Sequence, residues 1–326
     1  MLNSTNNFTG NTNNKSQLFT FQCRDFIVQY PVEGFYSYLL KMMIGFDSLF
    51  ATTGIVFNFL VLKVIYKNPS LRTIPNCIIV NLAISDILTG LISQPVKAAL
   101  TVFFLKRMVF CSVYLTGLQL GYIFGMVSCL TLMLMAFERH VAIFRPFRYI
   151  KMTVNRGWMH WAVVGIWIIS LLIAALSFLT PGMGLMRMVA IGIIIFTIMS
   201  STLVYTRAII VVKRINTRIS VMPEETSCGS NQRSARISSL AHTSRKLKAT
   251  RMASVILIVM VVCYLPSCVL TTLRNLVKME SDLVNGLHDW GQSFVLMNSS
   301  LNPIIYCWNL SEMRKRIRAV IRCSSD

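Results

Sequence analysis

Long apolar stretches alternate with short polar connections along this chain, and seven of the stretches, about 41–66, 75–98, 109–138, 158–180, 187–212, 249–273 and 285–308, predict helices of membrane-spanning length. A hydrocarbon core of roughly 30 Å requires about 20 mostly apolar helical residues per crossing. The fourth and fifth stretches are separated only by residues 180–184, where Pro181-Gly182 marks a turn between two crossings. After the seventh comes a short segment, 311–323, that opens on the capping residue Ser311. It places Met313, Ile317, Val320 and Ile321 on one helical face with arginines on the other, which predicts a helix lying along the membrane surface. The expected architecture is an all-α membrane protein, a seven-transmembrane helix bundle with an amphipathic eighth helix.

Composition supports this pattern. Of 326 residues 54% are hydrophobic and only 13% charged, with a mean hydropathy of +0.60, an apolar load that a soluble domain has no way to hide from water. Most of the 32 Lys and Arg fall in the connections that lie on one side of the membrane, so the positive-inside rule places the N-terminus outside and the C-terminus in the cytoplasm. The net charge of +20 then faces acidic lipid headgroups and cytoplasmic partners and calls for no nucleic acid.

Three units follow: an extracellular N-terminal segment, 1–38, with glycosylation sequons at Asn3, Asn7 and Asn14; the helical domain, 39–309; and the amphipathic helix and tail, 310–326, with Cys323 as a candidate palmitoylation site. The segment 1–35 has no signal-peptide pattern, so the first helix is expected to act as the insertion signal. The connection 214–247, rich in Ser and Arg, reads as a flexible cytoplasmic loop whose ends extend the flanking helices. Of nine cysteines only Cys23 and Cys111 are placed outside together, either as a disulfide or as two free thiols. The four histidines are scattered and no metal or phosphate motif is present, so no catalytic apparatus is expected.

Single polar residues recur at fixed depths: Gly54 and Asn58 in the first helix, Asn81 and Asp86 in the second, Ser128 with Glu138-Arg139-His140 in the third, Trp167 in the fourth and Tyr205 in the fifth. Cys263-Tyr264-Leu265-Pro266 stands in the sixth, and Asn298, Ser299, Asn302, Pro303 and Tyr306 in the seventh. In this order the set resembles the rhodopsin-like, or class A, G-protein-coupled receptors, over all seven helices and the tail. The resemblance implies a plasma-membrane receptor for an extracellular ligand, acting on a heterotrimeric G protein and then on arrestin and receptor kinases. A seven-helix transporter or channel and a non-signalling scaffold are the competing classes. The first would show inverted repeats, which are absent from the sequence; the second would not need the whole set of polar residues.

By the same resemblance Glu138, Arg139, Tyr205, Thr250, Pro266, Asn302, Pro303 and Tyr306 form the activation switch. Asp86, Ser128, Asn298, Ser299 and Asn302 match an allosteric sodium pocket, the alternative being a protonated Asp86 hydrogen-bonded to Asn58 and Asn302. No other cofactor is implied. Helix six offers Arg139 only the Thr250 hydroxyl in place of the usual acidic partner, which predicts appreciable basal signalling.

Departures from the family pattern narrow the reading. Tyr264 stands where tryptophan is usual, Tyr114 where the helix-three cysteine is usual, and Thr197 where helix five usually has proline. This is similar to the branch that holds melanocortin, lysophospholipid, cannabinoid and adenosine receptors. Gly121 replaces the carboxylate of amine receptors, Leu296 the retinal lysine, and Val96 an acidic site for melanocortin peptides. The expected pocket comprises Lys97, Gln119, Gly121, Tyr122, Tyr264, Ser267, Thr271, His288 and Gln292. A free Lys97 ammonium, with Arg187 and Arg274 nearer the mouth, suggests a small anionic or lipid-like ligand; the alternative is that Lys97 snorkels to headgroups and Arg274 pairs with Asp289 or Glu280.

Overall fold

The computed structural model describes residues 18–23, 26–31, 35–108, 110–155, 157–179, 184–221, 230–276, 282–309 and 314–318. Two strands, β1 (Leu18–Cys23) and β2 (Phe26–Pro31), pair antiparallel with Cys23 opposite Phe26 and Leu18 opposite Pro31. They precede α1 (Phe35–Lys67), a helical turn at Pro69–Leu71, α2 (Ile74–Leu88), a π-helical turn (Thr89–Ser93) and α3 (Gln94–Leu105). Then follow α4 (Cys111–Phe144), α5 (Pro146–Val154), α6 (Gly157–Leu179), α7 (Gly184–Val221), α8 (Ser230–Leu276) and α9 (Asp282–Asn309). Six of these stretches, with α2 to α3 counted as one, are long and apolar enough to cross a membrane by length and composition. The seventh crossing, α9, is more polar and packs against α1 and α8.

The helical bundle is as expected, and the N-terminal hairpin is an addition in front of it. Phe19-Thr20-Phe21-Gln22 alternates aromatic with polar side chains, the period of a strand, Phe26-Ile27-Val28 is aromatic and β-branched, and β2 rests against α9. The ends of the 214–247 connection extend the flanking helices as expected: α7 continues to Val221 and α8 begins at Ser230. Propagating an existing helix adds a hydrogen bond for each residue fixed, and the Ala, Leu, Arg and Lys on these flanks are good helix formers. The helix α5, like the hairpin, was not anticipated, since its polar residues lie between two crossings. In the tail, residues 314–318 are helical and Ile317 is buried in the core.

The chain enters the bundle at one face, where α1 starts, and leaves by the opposite face, where α9 ends. Near the exit face one large apolar cluster, including Val61, Ile79, Leu82, Leu132, Ile256 and Tyr306, ties the helices together. A smaller one, Tyr36, Leu40, Met43, Leu100 and Phe104, lies near the entry face. The central element is α4, which touches α2, α3, α5, α6, α7 and α8. A polar relay fixes its depth: Trp167 Nε1 donates to Asn81 Oδ1 at 3.0 Å, and Asn81 Nδ2 to Thr131 Oγ1 at 2.7 Å.

Pro95 lacks the amide that would continue the regular ladder, and the π-helical turn just before it absorbs the mismatch. Close approach depends on glycine at several points, Gly90 and Gly291 among them. A Cβ on Gly90 would lie 2.9 Å from Ile55 of α1, and one on Gly291 would lie 3.1 Å from the Ser267 backbone of α8. Gly291→Val should therefore force α8 and α9 apart and cost about 1–3 kcal/mol, read as a lower melting temperature of the purified protein, whereas Gly165→Val, with open space around it, should leave melting close to wild type.

Candidate functional site

Three polar layers lie one beneath another between the entry and exit faces. The uppermost surrounds a cavity of about 370 Å³, walled by α1, α3, α4, α7, α8 and α9. Lys97, Gly121, Tyr122, Tyr264, Ser267, Thr271, His288 and Gln292 all line it. Gln119 does not. Lining positions on α4 recur as Gly117, Leu118, Gly121, Tyr122 and Gly125, and Gln119 lies nearly opposite Gly117 on a helix of 3.6 residues per turn. Gly121 opens volume, with nothing within 4 Å of a Cβ placed there, and the Tyr264 hydroxyl is 3.9 Å from one at Gly125. Gly117 instead admits α3, because its Cβ would meet Val96 at 2.8 Å. Gln292 Nε2 donates to Ser267 Oγ at 2.9 Å and ties α9 to α8 across the cavity wall.

Lys97 is not a free cation. Its ammonium pairs with Asp47 of α1 at 3.1 Å and donates to the Ser293 hydroxyl and, at 3.3 Å, to the Asp289 carbonyl. Both carboxylate oxygens of Asp47 are shut off from solvent, so neither member of the pair could be left alone in this environment without a large cost. The pair neutralises the charge on which the expectation of an anionic ligand rested, and it replaces snorkelling as the account of Lys97. Sequence reasoning missed Asp47, although a single acid amid the apolar run of α1 was a signal comparable to Asp86. Arg187 and Arg274, which could add charge at the mouth, have side chains outside the described residues.

The second layer centres on Asp86, wholly buried in α2. Asn302 Nδ2 donates to Asp86 Oδ2 at 2.9 Å, and the Ser299 hydroxyl lies alongside. Asn58 does not reach Asp86; its amide donates to the carbonyls of Gly54 at 2.9 Å and Ser299 at 3.0 Å, joining α1 to α9. The Ser128 hydroxyl is engaged with Ser85 at 3.1 Å. Four buried acceptor oxygens, Asp86 Oδ1, Asn58 Oδ1, Asn298 Oδ1 and Asn302 Oδ1, have no hydrogen-bond donor. Hard, unsatisfied oxygens around a buried carboxylate suit a small monovalent cation such as sodium. Asp86, Asn298, Ser299 and Asn302 would hold it with Ser128 adjoining, and a bound ion would supply the positive charge that Asp86 otherwise lacks.

The third layer lies at the exit face. Arg139 Nε donates to Glu138 Oε2 at 2.5 Å, and the other carboxylate oxygen accepts from the Tyr149 hydroxyl of α5 at 2.8 Å. Burial and the adjacent Glu138 carboxylate push the Tyr149 phenol above its ordinary range, so the hydroxyl stays protonated and donates. Glu138 is buried with Arg139 almost so, and Tyr205, Thr250 and Tyr306 are buried in the same half of the bundle. Tyr205 is near enough to sense the charges of Glu138 and Arg139. Pro266 and Pro303 both interrupt the ladders of their helices. Tyr149 is a further addition to the expected switch: its role was invisible because the connection carrying it was not expected to fold.

Cys111 is disulfide-bonded, while Cys77, Cys129, Cys263, Cys268 and Cys307 are free. The side chain of Cys23, its expected partner, lies outside the described residues, as do Asn3, Asn7, Asn14 and Cys323.

Comparison with known proteins agrees with this geometry. Residues 57–306 match the family described as 7 transmembrane receptor (rhodopsin family). The chain is 32% identical over 130 residues to Melanopsin-B of Xenopus laevis, covering 39% of this chain and 24% of that protein. It is 33% identical over 127 residues to Melanopsin of Rattus norvegicus, 38% of this chain and 26% of that one. It is also 27% identical over 324 residues to a D(1)-like dopamine receptor of Takifugu rubripes, 85% of this chain and 69% of that one. The chain thus spans about a quarter of the melanopsins it matches, and these relatives lie outside the melanocortin, lysophospholipid, cannabinoid and adenosine branch that its departures suggested. If the oxygens around Asp86 take sodium, the purified protein should melt a few degrees higher in sodium chloride than in choline chloride at equal ionic strength, and Asp86→Asn should abolish the difference.

Proposed function

The chain belongs to the rhodopsin family of seven-transmembrane receptors, and from that premise we propose that it senses a small extracellular ligand and promotes nucleotide exchange on a heterotrimeric G protein. The observation that carries this reading is the stacking of a ligand-sized cavity, a cation-ready carboxylate layer and a buried Glu138–Arg139 pair along one bundle. Each layer spans at least two helices that must shift together, so a change in the first can bias the last. The positive-inside pattern supports an entry face outside the cell with Arg139 on the cytoplasmic side, and the family supports the plasma membrane.

In the closed arrangement Arg139 is held by its neighbour Glu138, and Glu138 in turn by Tyr149. Opening requires α8 to swing about Pro266, which removes one rung of the helix ladder. Arg139 then leaves Glu138 and turns to the G protein, while Tyr205 and Tyr306 move inward to support it. Ligand shifts this equilibrium only by its differential affinity for the open form. Tyr264, at the cavity floor and hydrogen-bonded to Cys129 of α4, couples ligand contact to α8 in place of tryptophan.

No acidic residue stands in the Arg245–Arg251 turn of α8 to hold Arg139 from the sixth helix. The closed state therefore rests on Glu138 and Tyr149, and ligand-free signalling follows. After activation, arrestin and receptor kinases would act on the same cytoplasmic face. The ligand has an apolar body to match the walls of Leu100, Phe104, Ile191, Ile194 and Val295. The anionic head group inferred from Lys97 gives way, because that ammonium is matched by Asp47.

Ligand-free activation, measured with a panel of Gα biosensors at matched surface level, should exceed mock-transfected cells and disappear in Arg139→Ala. Tyr149→Phe, which frees one Glu138 oxygen, should raise it roughly threefold to tenfold, as loss of a hydrogen bond worth about 1 kcal/mol would do. Silence of the wild type at good surface expression would remove the basal-activity claim, and a signal unaffected by Arg139→Ala would remove the switch.

A further inference from the structure

The described charges clustered around Lys97 do not cancel. Lys97 is committed to Asp47, on which it sits at 3.1 Å, and its remaining hydrogen bonds go to the Ser293 hydroxyl and to the backbone carbonyl of Asp289. That leaves the side chain of Asp289, which also lines the cavity. Its Oδ2 accepts from the Tyr36 hydroxyl at 3.0 Å, and its Oδ1 faces His288 Nδ1 at 3.6 Å, too long for a hydrogen bond. Among the described residues no lysine or arginine reaches this carboxylate. Lys97, the one ammonium on the described lining, thus faces two carboxylates, Asp47 behind the wall and Asp289 on it, and these three groups together carry one negative charge more than positive. They do so inside an otherwise largely apolar enclosure, where an uncompensated charge is felt strongly.

We infer that Asp289 is a cation-receiving subsite and that the ligand carries a protonated amine, docked on α9 rather than on α4. The position on α4 where amine receptors keep their carboxylate is Gly121, which leaves open space, so a cationic head has a reason to turn toward α9. The geometry suits it: among the described residues no donor lies within hydrogen-bonding distance of Asp289 Oδ1, and Tyr36 holds the other oxygen so that the carboxylate is presented in one orientation. Gln292 and Ser267, joined at 2.9 Å on the same wall, can orient a neighbouring polar group. An apolar body would then extend over Gly121 and Gly125 toward Tyr264. This assignment deepens the receptor reading and rests on it.

The test reads the potential of the cavity directly and requires neither the natural ligand nor signalling. Cys268 is free and lines the same cavity. The probes are aminoethyl methanethiosulfonate, a cation, and sulfonatoethyl methanethiosulfonate, an anion. Each forms a mixed disulfide with the thiolate and releases a sulfinate. Labelling of Cys268 in the intact receptor in membranes is followed by mass spectrometry at pH 8, where an imidazole carries no charge, and the two rates are normalised to those of a free thiol in solution.

The cationic reagent should be favoured about tenfold or more, and Asp289→Asn, which keeps an acceptor for Tyr36, should reduce that preference at least threefold. A ratio at or below the free-thiol reference would overturn the assignment, as would a ratio untouched by Asp289→Asn. Should that variant not reach the membrane, the wild-type ratio alone decides. Leu296→Cys, on the same wall, repeats the measurement from a second position; if neither thiol reacts with either reagent, the cavity is closed to soluble amines and the assignment falls. Since no G protein enters the assay, a receptor that fails to couple would still give one of these answers.

Discussion

Hydrocarbon offers a buried charge no water, and every polar group inside this bundle must find its partner within the protein. That constraint organises the structure. Asp47 meets Lys97, Asp86 meets Asn302, and Glu138 meets Arg139 and Tyr149. Two of these contacts join different crossings, α1 to α3 and α2 to α9, and a third ties α4 to the short α5. Apolar packing against lipid discriminates weakly between one helix arrangement and another, because lipid tails are as apolar as the side chains they would replace. The polar contacts supply the register that apolar packing leaves open.

The same contacts make the bundle responsive. A polar pair that bridges two helices has two well-defined conditions, made and broken, and so passes movement along in discrete steps rather than by gradual deformation. The Lys97–Asp47 pair sits on the cavity, the Asp86 layer lies beneath it, and the Glu138–Arg139 pair guards the opposite face. Pro95, Pro266 and Pro303 interrupt regular hydrogen bonding in α3, α8 and α9, so three of the helices that carry these layers also carry points at which they can bend. Interlocked pairs on bendable helices are the physical basis on which a receptor of this family can couple its two faces.

Much of this was legible in the sequence. Seven apolar runs gave the crossings, and isolated polar residues at fixed depths gave the family and most of the cavity wall. What escaped had physical reasons. The pairing of Lys97 was hidden because Asp47 lies 50 residues upstream on another helix, and charge alone does not report which acid a lysine will meet. Gln119 was misplaced because only helical phase, not proximity in sequence, separates it from Gly117 and Gly121. The hairpin and α5 lie in polar connections, where the hydrophobic pattern is weak, and so the partner of Glu138 on α5 was not foreseen. The helical flanks of the 214–247 connection, by contrast, were foreseen, because an adjoining helix has already met the cost of nucleation.

A double-mutant cycle on Asp47 and Lys97 tests most directly whether internal pairing of membrane-buried charge holds the structure together. Asp47→Asn and Lys97→Met each strand one charge, and each should cost about 3–5 kcal/mol in the stability of the purified protein, whereas the double variant strands none and should recover to within about 1 kcal/mol of wild type. A double variant whose loss equals the sum of the two single losses would contradict the account, since the two residues would then act independently and the bundle would not depend on their meeting.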